Sequence, residues 1–456
     1  MIILVKNIVN SQKEYFSSGA TRDYNFRMES LNKLKNSILK YEDEINSSMK
    51  LDLNKSKAET YITEIGIILD EISFHQRHLK KWMKKKHVKT SMAQIPGKCF
   101  ITPEPYGTVL IISPWNYPLQ LCLLPLVGSI SSGNTAIIKP SEYTPHTSDI
   151  ISKIISDAFP KEYISVVQGG VSETTLLLEE KFDYIFFTGS SNVGKIVMSA
   201  ASNHLTPVTL ELGGKSPAIV DESANIKLSA RRIAFGKVIN AGQTCVAPDY
   251  LLIHKSVKEE FITEFKNALN SFFVDKDMSS MVNIINEAHY NRLKNLMRDE
   301  HIILGGTFDD DRKFIEPTLI DEVTLSSPIM RDEIFGPILP IISYSNLSEC
   351  IEYIANFEKP LALYIFSENK ENIAKVTGSC SFGGGCINDT IVHLSNPNLP
   401  FGGVGNSGIG SYHGKKSFDT FTHYKSIFKQ SSIFDVPFRY MPYTDKKLNI
   451  IKKILK

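Results

Sequence analysis

Val109-Leu110-Ile111-Ile112-Ser113-Pro114-Trp115-Asn116-Tyr117-Pro118 opens the part of the chain that decides the fold. A short apolar, β-branched-rich run ends in a loop stiffened by two prolines. Three similar runs follow: Thr135-Ala136-Ile137-Ile138, Ile164-Ser165-Val166-Val167 and Tyr184-Ile185-Phe186-Phe187. Stretches that read as helices, such as residues 148–159, separate them. Short strands alternating with helices require a parallel sheet covered on both faces. A second alternation starts at Ile219–Val220 and continues at residues 250–253 and 340–342. Helices are expected between them, over 257–273 and 286–297. The expected fold class is therefore α/β, with a boundary near residue 210.

Upstream, Phe26, Leu31, Leu34, Ile38, Tyr41 and Ile45 recur at helical spacing. A second helix is expected over 58–83, ending in Lys84-Lys85-Lys86. Downstream, residues 383–410 are glycine-rich but interrupted by Asn388, Asp389 and Phe401, which points to close backbone approach rather than a flexible linker. The tail, 446–456, alternates lysine pairs with Leu448, Ile450, Ile451, Ile454 and Leu455. It reads as a short basic amphipathic helix, packed on its own protein or lying against a membrane surface.

The chain has 456 residues, room for two or three domains. Its 51 basic and 49 acidic residues leave a net charge of +2, which gives no electrostatic case for nucleic acid. The 6 cysteines are scattered without a CxxC pair, so neither a disulfide framework nor a metal site is expected. Reduced thiols in a cytoplasm fit better. The apolar run Met1-Ile2-Ile3-Leu4-Val5 is too short for a signal-peptide core or a membrane span, and a soluble, unexported protein is expected.

Five motifs carry candidate chemistry. Ala241-Gly242-Gln243-Thr244-Cys245-Val246-Ala247-Pro248 places small residues around a thiol, as a tight turn presenting it would; a lone cysteine is equally a small buried hydrophobe. Leu210-Glu211-Leu212-Gly213-Gly214-Lys215 sets a carboxylate at a strand end with room beside it, where a solvated charge would also sit. Asn116, between prolines, is a polar group in a stiff loop or a turn residue bonding its own backbone. Lys139 ends a strand, where open α/β sheets bind ligands and surface lysines are also common. Phe187-Thr188-Gly189-Ser190-Ser191-Asn192-Val193-Gly194 leads from strand to glycine turn to helix, a route that aims free N–H groups at a phosphate. It is neither a GxGxxG nor a Walker A sequence.

In this order the motifs resemble the aldehyde dehydrogenase superfamily over nearly the whole chain. The matching elements are Pro114 to Pro118, Lys139-Pro140-Ser141-Glu142, Phe187 to Ser190, Leu210 to Lys215, Gly242 to Cys245, Glu333-Ile334-Phe335-Gly336-Pro337 and Pro400-Phe401-Gly402-Gly403. The step of 34 residues from Glu211 to Cys245 matches too. Pro360 to Tyr364, Ser411 to Gly414 and Ser417 to His423 are similar to the class 3 branch, which acts on fatty and aromatic aldehydes.

The resemblance implies a Rossmann-type dinucleotide-binding domain over 1–83 and 105–210, an α/β catalytic domain over 211–395, a small β oligomerisation element from 84–104 and 396–430, and a basic tail over 431–456. It implies NAD(P)-dependent oxidation of an aldehyde, medium- or long-chain aliphatic or aromatic, to the acid through a cysteine thioester. Cys245 would be the nucleophile, Glu211 the general base, and Asn116 an oxyanion donor together with the Cys245 backbone N–H. Lys139 and Glu142 would sit by the adenosine ribose, Gly189, Ser190 and Gly194 by the pyrophosphate, and Glu333 by the nicotinamide ribose. Phe335 and Leu212 complete the expected cofactor set. Trp115, Tyr61, Ile391 and Phe401 are the expected aldehyde-pocket residues. NAD is favoured because Glu142 would repel a 2′-phosphate; NADP stays open. No metal is expected. A homodimer is expected, without stable membrane insertion because no long apolar tail is present. The rival readings are a CoA-acylating relative, a non-catalytic dinucleotide-binding protein of the same fold, and a cofactor-free cysteine hydrolase. Glu211 argues against the first, the intact Cys245, Glu211 and Asn116 set against the second, and the lack of a histidine motif beside Cys245 against the third.

Overall fold

The computed structural model describes residues 2–455 apart from 274, 276 and 325. Met1 and Lys456, the ends of two runs noted above, lie outside the described residues.

The first sheet has six strands in the order Gly408–Ile409, Val208–Glu211, Tyr184–Thr188, Thr108–Ile112, Thr135–Lys139, Ile164–Val166. All pair in parallel except the short Gly408–Ile409, which runs antiparallel to Val208–Glu211. Its apolar runs are buried on both faces: Val109, Leu110 and Ile111 have no exposed surface. Burial of each such side chain is worth roughly 1.5–3 kcal/mol. Chain order reverses between Thr108–Ile112 and Tyr184–Thr188, and open α/β sheets take ligands at the carboxyl ends beside such a switch. Asn116, Lys139, Gly189 and Glu211 all stand at those ends.

The second sheet has seven strands, in the order His301–Leu304, Thr318–Asp321, Ile338–Tyr344, Tyr250–His254, Pro217–Val220, Ala362–Phe366, Gly384–Ile387. Only the His301–Leu304 edge is antiparallel. The loops bearing Cys245 and Glu333 precede its strands Tyr250–His254 and Ile338–Tyr344. A third, antiparallel sheet joins Lys86–Val88, Lys98–Pro105 and Thr422–Lys429.

Two helical regions differ from expectation. The first sixteen described residues form a helix, Ile2–Ser17. Its Val5 and Val9 are buried, and Gln12 Nε2 donates to the Ala136 carbonyl at 2.8 Å. The expected helix over 58–83 is broken into Lys57–Thr60, a π turn at Tyr61–Ile65, and Gly66–Trp82. Such a turn rotates the helix face and marks functional positions. At the other end, the helix Asp445–Ile454 turns its Ile451 and Ile454 toward Phe428 and Phe438 around a groove of about 410 Å³.

Candidate active site

Three consecutive residues before the thiol, Asn240, Ala241 and Gly242, take left-handed φ angles of 52°, 53° and 68°. For non-glycine residues this conformation is costly and persists only when contacts fix it. The Asn240 N–H donates to Glu59 Oε1 at 2.7 Å, and Asn240 Nδ2 donates to the carbonyls of Asn116 at 2.9 Å and Gln243 at 3.0 Å. Gln243 is tied down by the Ile285 N–H, which donates to its Oε1 at 3.0 Å, and by its own Nε2, which donates to the Asn283 carbonyl at 3.0 Å. Gly242 has a further reason to be glycine: a Cβ there would lie 2.4 Å from the Gly336 carbonyl oxygen. That contact joins the thiol loop to the Glu333–Pro337 motif.

Opposite stands the loop after strand Thr108–Ile112. Asn116 is buried, and its Nδ2 donates to the Gln243 carbonyl at 3.0 Å. The hydroxyls of Tyr117 and Thr244 share a hydrogen bond of 2.6 Å. Both loops are thus stitched together immediately beside Cys245.

The Cys245 side chain lines an apolar cavity of about 210 Å³. Ile62, Ile67, Leu121, Phe235, Ile391 and Phe401 form much of its wall. Among the described residues no Lys, Arg, Asp or Glu lines it. His413 does, and burial drives its pKa down to about 4, so it is neutral near pH 7. Burial also pushes the Cys245 thiol up, with the Glu333 and Glu211 carboxylates adding to the effect. Glu211 ends its strand with 2% exposure, and among the described residues neither of its carboxyl oxygens has a hydrogen-bond partner. Burial lifts its pKa well above the carboxylate range. A buried unpartnered carboxyl is costly and demands an explanation.

The remaining positions lie around the sheet's carboxyl ends. Lys139 is buried and donates to Glu142 Oε2 and to the Pro140 carbonyl, both at 2.9 Å. Ser190 caps the helix Ser191–Ser202 through the Val193 N–H. Gly194 packs against Leu212, where a Cβ would meet Leu212 Cδ2 at 2.7 Å. Glu333 is pushed up to about 8, chiefly by burial and then by the Asp249 charge. A Cβ on Gly213 would lie 2.2 Å from Glu333 Oε2, which explains the first glycine of the Gly213-Gly214 pair.

Two expected pocket residues lie elsewhere. Trp115 packs edge-on against Phe335, ring centroids 5.4 Å apart, and against His289, because the Pro114–Pro118 loop sends Trp115 and Tyr117 to different neighbours. Tyr61 is 46% exposed and outside the cavity wall; the π turn that begins there brings Ile62 and Thr63 to the wall instead. Ile391 and Phe401 do line it. Tyr412 and His413, in the motif Ser411-Tyr412-His413-Gly414, also line the wall, a placement the sequence motif does not reveal. Sequence reading also missed the supporting network of Lys55, Glu59, Glu64 and Asn240, which no local pattern signals.

The cleft suits a nicotinamide dinucleotide. A capped helix N-terminus follows strand Tyr184–Thr188, a lysine is buried at the end of strand Thr135–Lys139, and among the described residues the buried Glu211 carboxyl has no hydrogen-bond partner.

The profile described as "Aldehyde dehydrogenase family" matches residues 4–427. The 4,4′-diaponeurosporen-aldehyde dehydrogenase of Staphylococcus aureus is 52% identical over 438 residues, 95% of each chain. The dimeric NADP-preferring aldehyde dehydrogenase of Mus musculus is 44% identical, covering 94% of this chain and 95% of that one. Among solved structures, a substrate-bound state of Staphylococcus aureus AldH superposes with a TM-score of 0.97, at 50% identity and 99% coverage of both chains. Betaine aldehyde dehydrogenase of Staphylococcus aureus in complex with NAD+ gives 0.85 at 26% identity, covering 95% of this chain and 88% of that one.

Proposed function

The chain belongs to the aldehyde dehydrogenase family and is an enzyme that oxidises aldehydes with NAD or NADP; from that premise we propose that Cys245 is its nucleophile, Asn116 its oxyanion donor and Glu211 its general base, acting on long apolar aldehydes. The observation that carries this reading is the Cys245 thiol lining an uncharged apolar cavity, with Asn116 held beside it and an unpartnered Glu211 near enough for its charge to act on the sulfur.

The thiol proton passes to solvent water as sulfur adds to the carbonyl carbon, and the C=O electron pair moves onto oxygen. The Asn116 side-chain amide and the Cys245 backbone N–H hold that oxyanion, each such donor worth about 3 kcal/mol. A nicotinamide held here would supply the hydride acceptor, and Cys245 would keep the acyl carbon as a thioester. Glu211 then takes a proton from water, the water oxygen attacks the thioester, and the C–S bond breaks to release the acid and restore sulfur. A dry site serves Glu211 here, since a raised pKa makes it a stronger base.

Lys139 and Glu142 would hold the adenosine ribose, with Gly189, Ser190, Gly194 and Leu212 near the pyrophosphate. Glu333 would hold the nicotinamide ribose and Phe335 would pack nearby. The cavity wall supports an apolar chain as substrate, and the Staphylococcus aureus relative, named for a long polyene aldehyde, supports the same class. We place the enzyme in the cytoplasm as a homodimer joined through the three-stranded sheet, whose Val88, Tyr424 and Phe428 are exposed. Its cysteines are free, which supports a reducing compartment.

The test is Cys245→Ala, assayed with decanal and NAD. Aldehyde-dependent formation of reduced cofactor should vanish while cofactor binding survives. Undiminished turnover would refute the nucleophile assignment.

A further inference from the structure

One buried ion pair, outside the cavity wall, grips the loop that carries Asn116. The side chains of Lys55 and Glu64 are 0% exposed, and Lys55 Nζ lies 2.8 Å from Glu64 Oε1. Glu64 Oε2 accepts from the N–H groups of Leu119 at 3.1 Å and Gln120 at 2.8 Å, where the helix Gln120–Ser132 begins. Lys55 also donates to the Asn116 carbonyl at 3.4 Å, and its Nζ stands 4.5 Å from the centroid of the Tyr117 ring. These contacts hold the backbone from the Asn116 carbonyl to the Gln120 N–H.

The same segment reaches the second loop. Glu59 accepts the Asn240 N–H in the left-handed turn before Cys245, and Ile62 and Thr63 line the cavity. Burying two charges is expensive, and an apolar pair of equal volume commonly holds a fold as well or better. The charges therefore answer to something other than packing. The π turn at Tyr61–Ile65 contains Glu64, so the irregular helix also has a geometric consequence.

Resting on the assignment of Asn116 and Cys245 above, we propose that Lys55 and Glu64 form a positioning pair that fixes the Asn116 amide at the height of the reacting oxygen. The pair touches neither aldehyde nor cofactor. It acts through the backbone of residues 116–120, because a displacement of about 1 Å at a reacting group costs on the order of a hundredfold in rate.

The experiment compares Lys55→Met/Glu64→Gln, which leaves no lone buried charge, with the wild-type full chain on decanal and NAD. The expected result is kcat lower by roughly a hundredfold, with KM and the NAD dissociation constant little changed and the melting temperature retained. The same pair of substitutions is then placed in an Asn116→Ala background, where it should cost less than about threefold, because a residue acting through Asn116 has nothing left to position. Losses that multiply in that background, or a kcat close to wild type in the Lys55→Met/Glu64→Gln enzyme, would overturn the proposal. Should the neutral pair not accumulate as folded protein, Lys55→Arg serves: whatever it changes in kcat should disappear in the Asn116→Ala background, and persistence there counts against the proposal. Cys245→Ala run alongside separates the two levels. If it stays active, the nucleophile assignment fails; if it is inactive while the neutral pair turns over normally, only the positioning pair fails.

Discussion

The Asn116 side-chain amide donates to the Gln243 carbonyl over 3.0 Å, two residues before Cys245. The donor proposed for the oxyanion is thus already held against the loop that bears Cys245, so it would need no reorganisation when charge develops. Asn116→Ala should lower kcat by roughly 10²–10³-fold, the loss seen when one oxyanion donor is removed. Cofactor affinity, measured by fluorescence titration, should hardly move. A change confined to cofactor affinity would show that Asn116 serves the dinucleotide instead.

Glu211 yields a pH prediction. Its carboxyl is raised by burial, so the folded chain binds that proton more tightly than the unfolded chain does. The associated stability is complete below the unfolded value of about 4.3 and is lost as pH rises toward the folded value. Glu211→Gln, which cannot ionise, should melt at a higher temperature than wild type by a margin that widens from acidic to alkaline pH. Turnover of the same variant should fall by roughly 10²–10⁴-fold, as for loss of a general base. Calorimetry across pH checks the first point; a margin that does not vary with pH would contradict it.

Gly242 is fixed twice, by its φ of 68° and by the Gly336 carbonyl that a Cβ would meet at 2.4 Å. Gly242→Ala should cost more than about 1–2 kcal/mol, the penalty of the left-handed conformation alone. It should also reduce kcat by displacing the thiol loop. Gly378 in the helix Lys370–Ser379 is the control, since nothing lies within 4 Å of a Cβ there. Gly378→Ala should leave activity unchanged and raise stability slightly. Equal effects at the two positions would remove the argument from local geometry.

Glu142 pairs with Lys139 and keeps a side chain that is 38% exposed. A 2′-phosphate would bring like charge to that carboxylate. Glu142→Gln should therefore raise kcat/KM for NADP relative to NAD by roughly tenfold, equivalent to about 1.4 kcal/mol. An unchanged ratio would separate Glu142 from cofactor choice.

Much of this site was legible because strand ends announce themselves. The apolar runs ending at Ile112, Ile138 and Phe187 are continuous, as fully buried parallel strands must be, and each is followed by a polar residue, Ser113, Lys139 or Thr188, at the carboxyl end where such sheets take ligands. Cys245 and Glu211 stand out as candidates only as members of an ordered set of motifs, since each alone reads as core or surface. Tyr61, expected in the pocket by resemblance, starts a π turn that puts Ile62 and Thr63 in the cavity wall, a break that helical periodicity does not reveal. Trp115 packs on Phe335 and His289, an orientation not readable from sequence because a loop between prolines has no period to say which way each side chain points. Lys55, Glu59 and Glu64 stayed hidden for a third reason: they look like solvated helix charges until tertiary contacts bury them.

The most direct measurement is intact-mass and peptide mapping of the Glu211→Gln enzyme after brief exposure to decanal and NAD. With hydrolysis slowed, one acyl group should remain, located on the peptide containing Cys245 and absent when Cys245→Ala is added. Acylation of another residue, or none while reduced cofactor accumulates, would contradict a thioester at Cys245.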